Sequence, residues 1–316
     1  MPLKIIFMGT PALAAHILGR VATLSDPRFR VAAVVTRPDE PRGRGMAFAP
    51  SEVGAVAARH HLPTLKPAKI RTPEFLTEIK SYDPDLLVVA AYGRILPQPI
   101  LDAPKLAPIN VHASLLPRLR GAAPIEGAIL SGDAETGVTI MRITAEMDSG
   151  PIILRRAIPI APDDTQGSLK SKLAELGADA LVEALDLYAR GAASETRQDD
   201  SLATYTKQIR KEDAAIDWSA DAAQIERMTR AFDPWPVART TLGGEPILIW
   251  RACVAEAAQE SSAQPGTLVA LKPEPIVRCG RGALLLREVQ APGRKRMPAA
   301  DFFNGRQAAP GTQLGA

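Results

Sequence analysis

Cysteine is nearly missing from this chain: Cys253 and Cys279 are the only two in 316 residues, with no CxxC and no Cys/His spacing. That excludes a disulfide framework and a zinc site, and both thiols are expected to be free and buried. Long apolar runs are missing as well. None approaches the roughly 20 residues that a membrane helix requires. The first eight residues have neither the basic start nor the cleavage site of a signal peptide, so a cytoplasmic location is expected. The net charge is only +3, too small to announce a nucleic-acid partner by itself. It is unevenly spread, with 15 Lys and Arg against 12 Asp and Glu from Tyr205 onward and 23 against 23 before. The excess, clustered at Arg294-Lys295-Arg296, could meet phosphates.

Two further absences narrow the chemistry. An apolar strand, Lys4 to Met8, runs into Gly9-Thr10-Pro11, a helix of small residues from Ala12 to Leu24, and a second strand from Arg30 to Thr36. This β-α-β spacing predicts a doubly wound, mostly parallel α/β sheet. The G-x-G-x-x-G of a dinucleotide-binding turn does not follow the first strand, which excludes the nicotinamide reading. No Ser or Cys sits in a nucleophile elbow, so a covalent acyl-enzyme is not expected.

What is present is a polar pair on an apolar strand. Leu106 to Val111 is of strand type and delivers Asn110 and His112 to the mouth of a loop. Side chains two apart on a strand point to one face. A carboxamide donor and an imidazole there suit acyl transfer, where a carbonyl oxygen becomes anionic and a proton must move near neutral pH. Asp148, in a turn after the apolar strand Val138 to Ile143, is the candidate to orient the imidazole or carry protons. The loop after His112 is apolar, Ser114-Leu115-Leu116-Pro117, and then basic, Arg118-Leu119-Arg120-Gly121.

The remaining pattern fills in two domains, which a chain of this length can support. Residues 37–51, RPDEPRGRGMAFAPS, are rich in Pro, Gly and Arg and predict an irregular, mobile basic loop. Ser51 is a helix N-cap. The continuous run Asp85 to Ala91 predicts a central strand covered on both faces, and leucines at helical period mark a helix from Thr165 to about Tyr188. Residues 190–207 are polar and aperiodic, a linker. Short strands with Gly and Pro turns then predict a small β-barrel over 208–305, and 306–316 a disordered tail.

The strings NVHASLLPRLRGAAPI and ETGVTIMRITAEMDSGPIIL closely resemble the catalytic core of the formyltetrahydrofolate-dependent formyltransferases, most of all the branch acting on methionyl-tRNA. The resemblance spans roughly residues 3–305. It implies a Rossmann-like catalytic domain over 1–189 and an OB-like tRNA-binding barrel, carried by IDWS and RAFDPWP. It implies Asn110, His112 and Asp148 as the catalytic trio, and Ser114, Leu115, Leu116 and Pro117 lining the folate site. Arg94 and Ile95, in YGRILP, would help enclose the pterin. The 37–51 loop would enter the acceptor end of the initiator tRNA, with Arg44 central and Arg42 assisting. The cosubstrate implied is 10-formyltetrahydrofolate, without a metal, on a monomeric enzyme. Departures are Ala12-Leu13, Glu40, Met46-Ala47, and Ser149 and Pro151 beside the aspartate. A glycinamide ribonucleotide or amino-sugar acceptor, and a tRNA-binding protein with a dead catalytic domain, are the competing readings.

Overall fold

Runs of residues that are apolar on both strand faces can only be buried on both faces, and they set the centre of the sheet. Ile5 to Met8 and Leu86 to Ala90 are such runs, all buried. The structure, a computed structural model, describes residues 2–42, 46–255 and 262–315. The elements of the first two-thirds of the chain are β1 (Leu3–Gly9), α1 (Ala12–Ala22), β2 (Phe29–Val35), β3 (Glu40–Arg42), β4 (Ala47–Ala49), α2 (Glu52–Arg59), β5 (Thr64–Leu65) and α3 (Pro73–Ser81). They continue with β6 (Leu86–Ala90), α4 (Gln98–Leu101), β7 (Ala107–His112), β8 (Arg120–Gly121), α5 (Pro124–Ser131), β9 (Glu135–Arg142), β10 (Ile152–Pro159), α6 (Gln166–Ala189) and β11 (Tyr205–Thr206).

Seven of these strands form one sheet in the order β10-β9-β7-β6-β1-β2-β5. The strands from β7 to β5 are parallel, while the β7–β9 and β9–β10 pairings at one edge are antiparallel. The mostly parallel, doubly wound expectation is met. Winding reverses between β1 and β6, and such a switch point opens a crevice at the carboxyl ends of the strands. Gly9 ends β1 there for a packing reason: a Cβ would sit 2.7 Å from the Ala14 Cβ and 2.8 Å from the Ala90 oxygen.

The chain divides into two compact units, Met1–Pro124 with Glu135–Pro159 and Lys170–Thr206, and Ile125–Ala134 with Ile160–Leu169 and Lys207–Ala316. The stretch expected as a linker is therefore part of the first unit up to Thr206. Its backbone pairs within that unit, so it needs no apolar period: Thr196 bridges Ile152 at the edge of the seven-stranded sheet, and β11 pairs in parallel with β8 in a separate two-stranded sheet.

The 37–51 segment is not wholly irregular. β3 and β4 pair as an antiparallel ribbon, Glu40 opposite Ala49 and Arg42 opposite Ala47. Pro41 is tolerated because a two-stranded ribbon has only edges. Its base is pinned where Thr36 Oγ1 meets Ser51 Oγ at 2.6 Å, and Ser51 caps α2 by accepting from Gly54 N at 2.9 Å. Arg44 lies outside the described residues.

The second unit holds α7 (Ala222–Ala231), β12 (Ala238–Leu242), β13 (Glu245–Val254), β14 (Leu268–Ala270), β15 (Ile276–Arg278), β16 (Ala283–Gln290), β17 (Met297–Pro298) and α8 (Ala299–Gly305). Its sheet is antiparallel, ordered β12-β13-β16-β15-β14 with β17 on β16. Trp218, Ile225, Ile249, Leu284 and Phe303 share its core. Cys279 is buried there, and burial pushes its thiol up to about 12. Cys253 is half-buried, not buried as expected.

The expected disordered tail is a structured one. Gly311 N donates to Leu268 O at 2.8 Å, Leu314 N to Gly266 O at 2.8 Å, and Gly315 N to Thr241 O at 3.0 Å. Leu314 is 1% exposed within the core of the unit, Ala308 packs against that core, and Gln313 bonds Thr267 Oγ1 and the Pro265 oxygen. Leu314→Ala should lower the stability of the second unit by about 2–5 kcal/mol, read by denaturant unfolding. A loss under about 0.5 kcal/mol, the range of ordinary surface substitutions, would show that the tail contributes nothing.

Candidate active site

β7 ends the parallel part of the sheet, and its last residue is His112. Pairing sets Asn110 opposite Met141 and His112 opposite Thr139 on β9. Asn110 is half-buried, and its carboxamide has no hydrogen-bond partner among the described residues. The imidazole is 6% exposed, and its Nε2 lies 3.1 Å from the Leu119 carbonyl oxygen. A carbonyl only accepts, so Nε2 holds the ring proton. The neutral ring then has no N–H left for a ligand and presents the Nδ1 lone pair.

Nδ1 faces Asp148, with Oδ2 at 3.8 Å. That is beyond a hydrogen bond but close enough for the carboxylate to stabilise an imidazolium. Asp148 is in a left-handed conformation at φ 49°, one that a short polar side chain tolerates. Oδ2 accepts from Gly121 N at 2.8 Å. The trio expected from the sequence is thus brought together for His112 and Asp148, with Asn110 on the same strand two residues back.

The apolar loop after His112 is built mainly inward. Ser114 is fully buried and its hydroxyl donates to Arg118 O at 2.8 Å. Leu116 packs with Met141 and Ile152, its N–H donates to Thr139 Oγ1 at 3.1 Å, and its oxygen accepts from Arg155 at 3.1 Å. Pro117 is buried, and Leu115 alone of the four is half-exposed.

At the end of β6, Arg94 reaches back to clasp the Pro67 and Ala68 oxygens at 3.0 and 3.1 Å. Its guanidinium ties two loops together, whereas Ile95 is 74% exposed. Arg42 is the last residue of β3, and the ribbon exposes Phe48 on β4. Among the described residues no group of three or more His, Cys, Asp or Glu side chains could hold a metal ion, and no helix is long and apolar enough to cross a membrane.

Sequence reasoning missed the residues that hold this site in shape. Gln198, 4% exposed, donates to the Asp148 and Gly150 oxygens at 2.8 and 2.7 Å. Its Oε1 accepts from Arg120 Nε and Nη2 at 3.1 and 2.9 Å. Arg120, 3% exposed, also bonds Asp200 at 2.7 Å and the Tyr205 hydroxyl at 3.3 Å. Burial works against its charge, yet these two partners outweigh it and keep its pKa above the ordinary value. For Gln198 a single sequence carries no signal.

A doubly wound sheet that presents a carboxamide, an imidazole and a carboxylate at its carboxyl end suits direct acyl transfer. Residues 3–185 match the family described as formyl transferase and residues 208–307 its C-terminal domain. The chain belongs to the formyl transferase family. A protein from Geobacter sulfurreducens named methionyl-tRNA formyltransferase is 45% identical over 314 residues, 99% of this chain and 97% of its own. One of the same name from Roseiflexus sp. is 47% identical over 100% of this chain and 96% of its own. Among solved structures, an N-formyltransferase from Helicobacter canadensis in complex with folinic acid and dTDP-3-aminofucose superposes with a TM-score of 0.67. It is 18% identical and covers 90% of this chain and 99% of that one, a likeness of fold.

Next to Arg94, Tyr92 is buried and its hydroxyl has no partner among the described residues. Burial, partly offset by Arg94 and Arg37, raises its pKa. Removing an unpaired buried hydroxyl relieves a desolvation penalty of about 1–3 kcal/mol. Tyr92→Phe should leave the melting temperature unchanged or raise it, and a clear fall in calorimetry would reveal a partner for the hydroxyl.

Proposed function

We propose that this chain transfers the formyl group of 10-formyltetrahydrofolate to the α-amino group of methionyl-initiator tRNA, preparing it for translation initiation. Near-half identity to methionyl-tRNA formyltransferases along the whole chain, second unit included, carries this reading. The half-exposed Leu115 and the exposed Ile95 suit the face of a flat aromatic ring, and the free Asn110 carboxamide suits a carbonyl to be polarised. Such a surface fits the formyl-folate, with Leu115 and Ile95 against its pterin and Asn110 at its formyl group.

The chemistry follows from the proton positions. As the amine nitrogen bonds to the formyl carbon, negative charge gathers on the formyl oxygen, where the Asn110 N–H donates. The amine must shed a proton, and the Nδ1 lone pair of His112 takes it. The imidazolium so formed faces the Asp148 carboxylate at 3.8 Å and now offers an Nδ1–H to the anionic oxygen. Returning that proton to the departing folate nitrogen completes the transfer and resets the ring. The Leu119 carbonyl keeps Nε2 out of this traffic.

The second unit is read as an OB-like barrel that holds tRNA, supported by its short antiparallel strands and the basic excess after Tyr205. Arg42 and Arg44 would bind the acceptor end from the 37–51 segment. The enzyme acts as a cytoplasmic monomer, where its aminoacyl-tRNA substrate is made.

His112→Ala or Asp148→Ala should lower kcat for formylation by at least about 10²–10³ with the fold kept by circular dichroism. Turnover within a few-fold of the parent would remove both from the mechanism. Arg44→Ala should weaken use of tRNA while sparing folate binding; an equal loss of both would contradict the role of the segment.

A further inference from the structure

We propose that Gln198, in the polar connection before β11, is a positioning residue for the His112–Asp148 pair. It rests on the reading of those two side chains as the proton-handling groups. The buried amide uses its whole hydrogen-bonding capacity. Its two N–H bonds go to the oxygens of Asp148 and Gly150, and both Oε1 lone pairs receive the Arg120 guanidinium. Turned over, it would set its oxygen against two carbonyls and its NH2 against a cation. One orientation is therefore enforced, and a buried network so satisfied is stiff.

What the network holds is the backbone on both sides of the pair. On one side is the Asp148 turn, which cannot shift freely. A Cβ on Gly150 would fall 1.9 Å from the Arg142 oxygen, so the turn lies tight against the end of β9. On the other side is the segment 119–121, which supplies the Leu119 oxygen to His112 and the Gly121 N–H to Asp148. The same connection grips that segment directly. Thr204 accepts from Leu119 N through Oγ1 at 2.8 Å and from Arg120 N through its carbonyl at 2.8 Å. Gln198 joins the two sides through Arg120, so the 3.8 Å separation of imidazole and carboxylate is set by residues that touch neither substrate.

Steady-state formylation with Gln198→Met, Gln198→Glu and Thr204→Val tests this. Misplacing a reacting group by about 1 Å can cost on the order of 10²-fold, so kcat should fall roughly 10- to 100-fold with each KM within about threefold. Gln198→Glu keeps an acceptor for Arg120 but turns the donor arm into an acceptor facing two carbonyls. It should lose at least as much kcat as Gln198→Met. Near-parent kcat in Gln198→Glu would overturn the proposal, since Gln198 would then serve only to pair Arg120. If both Gln198 variants unfold by circular dichroism, Thr204→Val decides, because it removes a single acceptor from Leu119 N. Loss of kcat at constant KM supports the proposal, and full kcat overturns it. His112→Ala and Asp148→Ala are measured alongside. If they retain turnover, the reading of the pair itself fails; if they lose it while the Gln198 and Thr204 variants do not, only the positioning role fails.

Discussion

The contact on which the rest of the site depends is the one between His112 Nε2 and the Leu119 carbonyl, 3.1 Å apart. A backbone oxygen cannot donate, so it commits the ring to one tautomer and leaves the Nδ1 lone pair facing Asp148. Everything else follows from where Nδ1 then points. It faces a carboxylate that is itself held by a backbone N–H, from Gly121, two residues beyond the Leu119 carbonyl. The ring and the acid thus take their orientation from one short stretch of main chain.

That stretch has no secondary structure of its own beyond the two-residue strand β8. Short, irregular backbone holds its shape only if its polar groups are answered, and the answers come from far along the chain. Thr204, Thr206 and Gln198 lie roughly eighty residues later, yet they take up the donors and acceptors of 119–123. The chain leaves the first unit at Thr206. The connection to the second unit therefore also braces the backbone beside His112 and Asp148, which explains why it is polar without being loose.

The parts of this architecture that repeat were legible in the sequence. Ile5 to Met8 and Leu86 to Ala90 read as central strands because no other packing buries such runs, and Asn110 and His112 read as a pair because strand geometry repeats every two residues. The parts that depend on single long-range contacts were not legible. Residues 190–207 have no apolar period, so nothing local distinguished a bonded strap from a tether. Leu314 is one leucine among small residues, and its burial is a property of β14 and the 241–242 region it meets. The resemblance implies that Ser114 and Leu116 line a ligand; the structure adds that the Ser114 hydroxyl bonds within the loop and that the Leu116 backbone bonds to Thr139 and Arg155 on β9 and β10, long-range contacts that no local pattern announces.

The central claim is the tautomer, and nitrogen NMR of the 15N-histidine-labelled protein measures it directly. His112, assigned by its loss in His112→Asn, should show in its neutral form a protonated Nε2 and a bare Nδ1. A neutral ring protonated at Nδ1 would contradict the account, because Leu119 would then not fix the imidazole and the nitrogen facing Asp148 could not accept the proton of the amine.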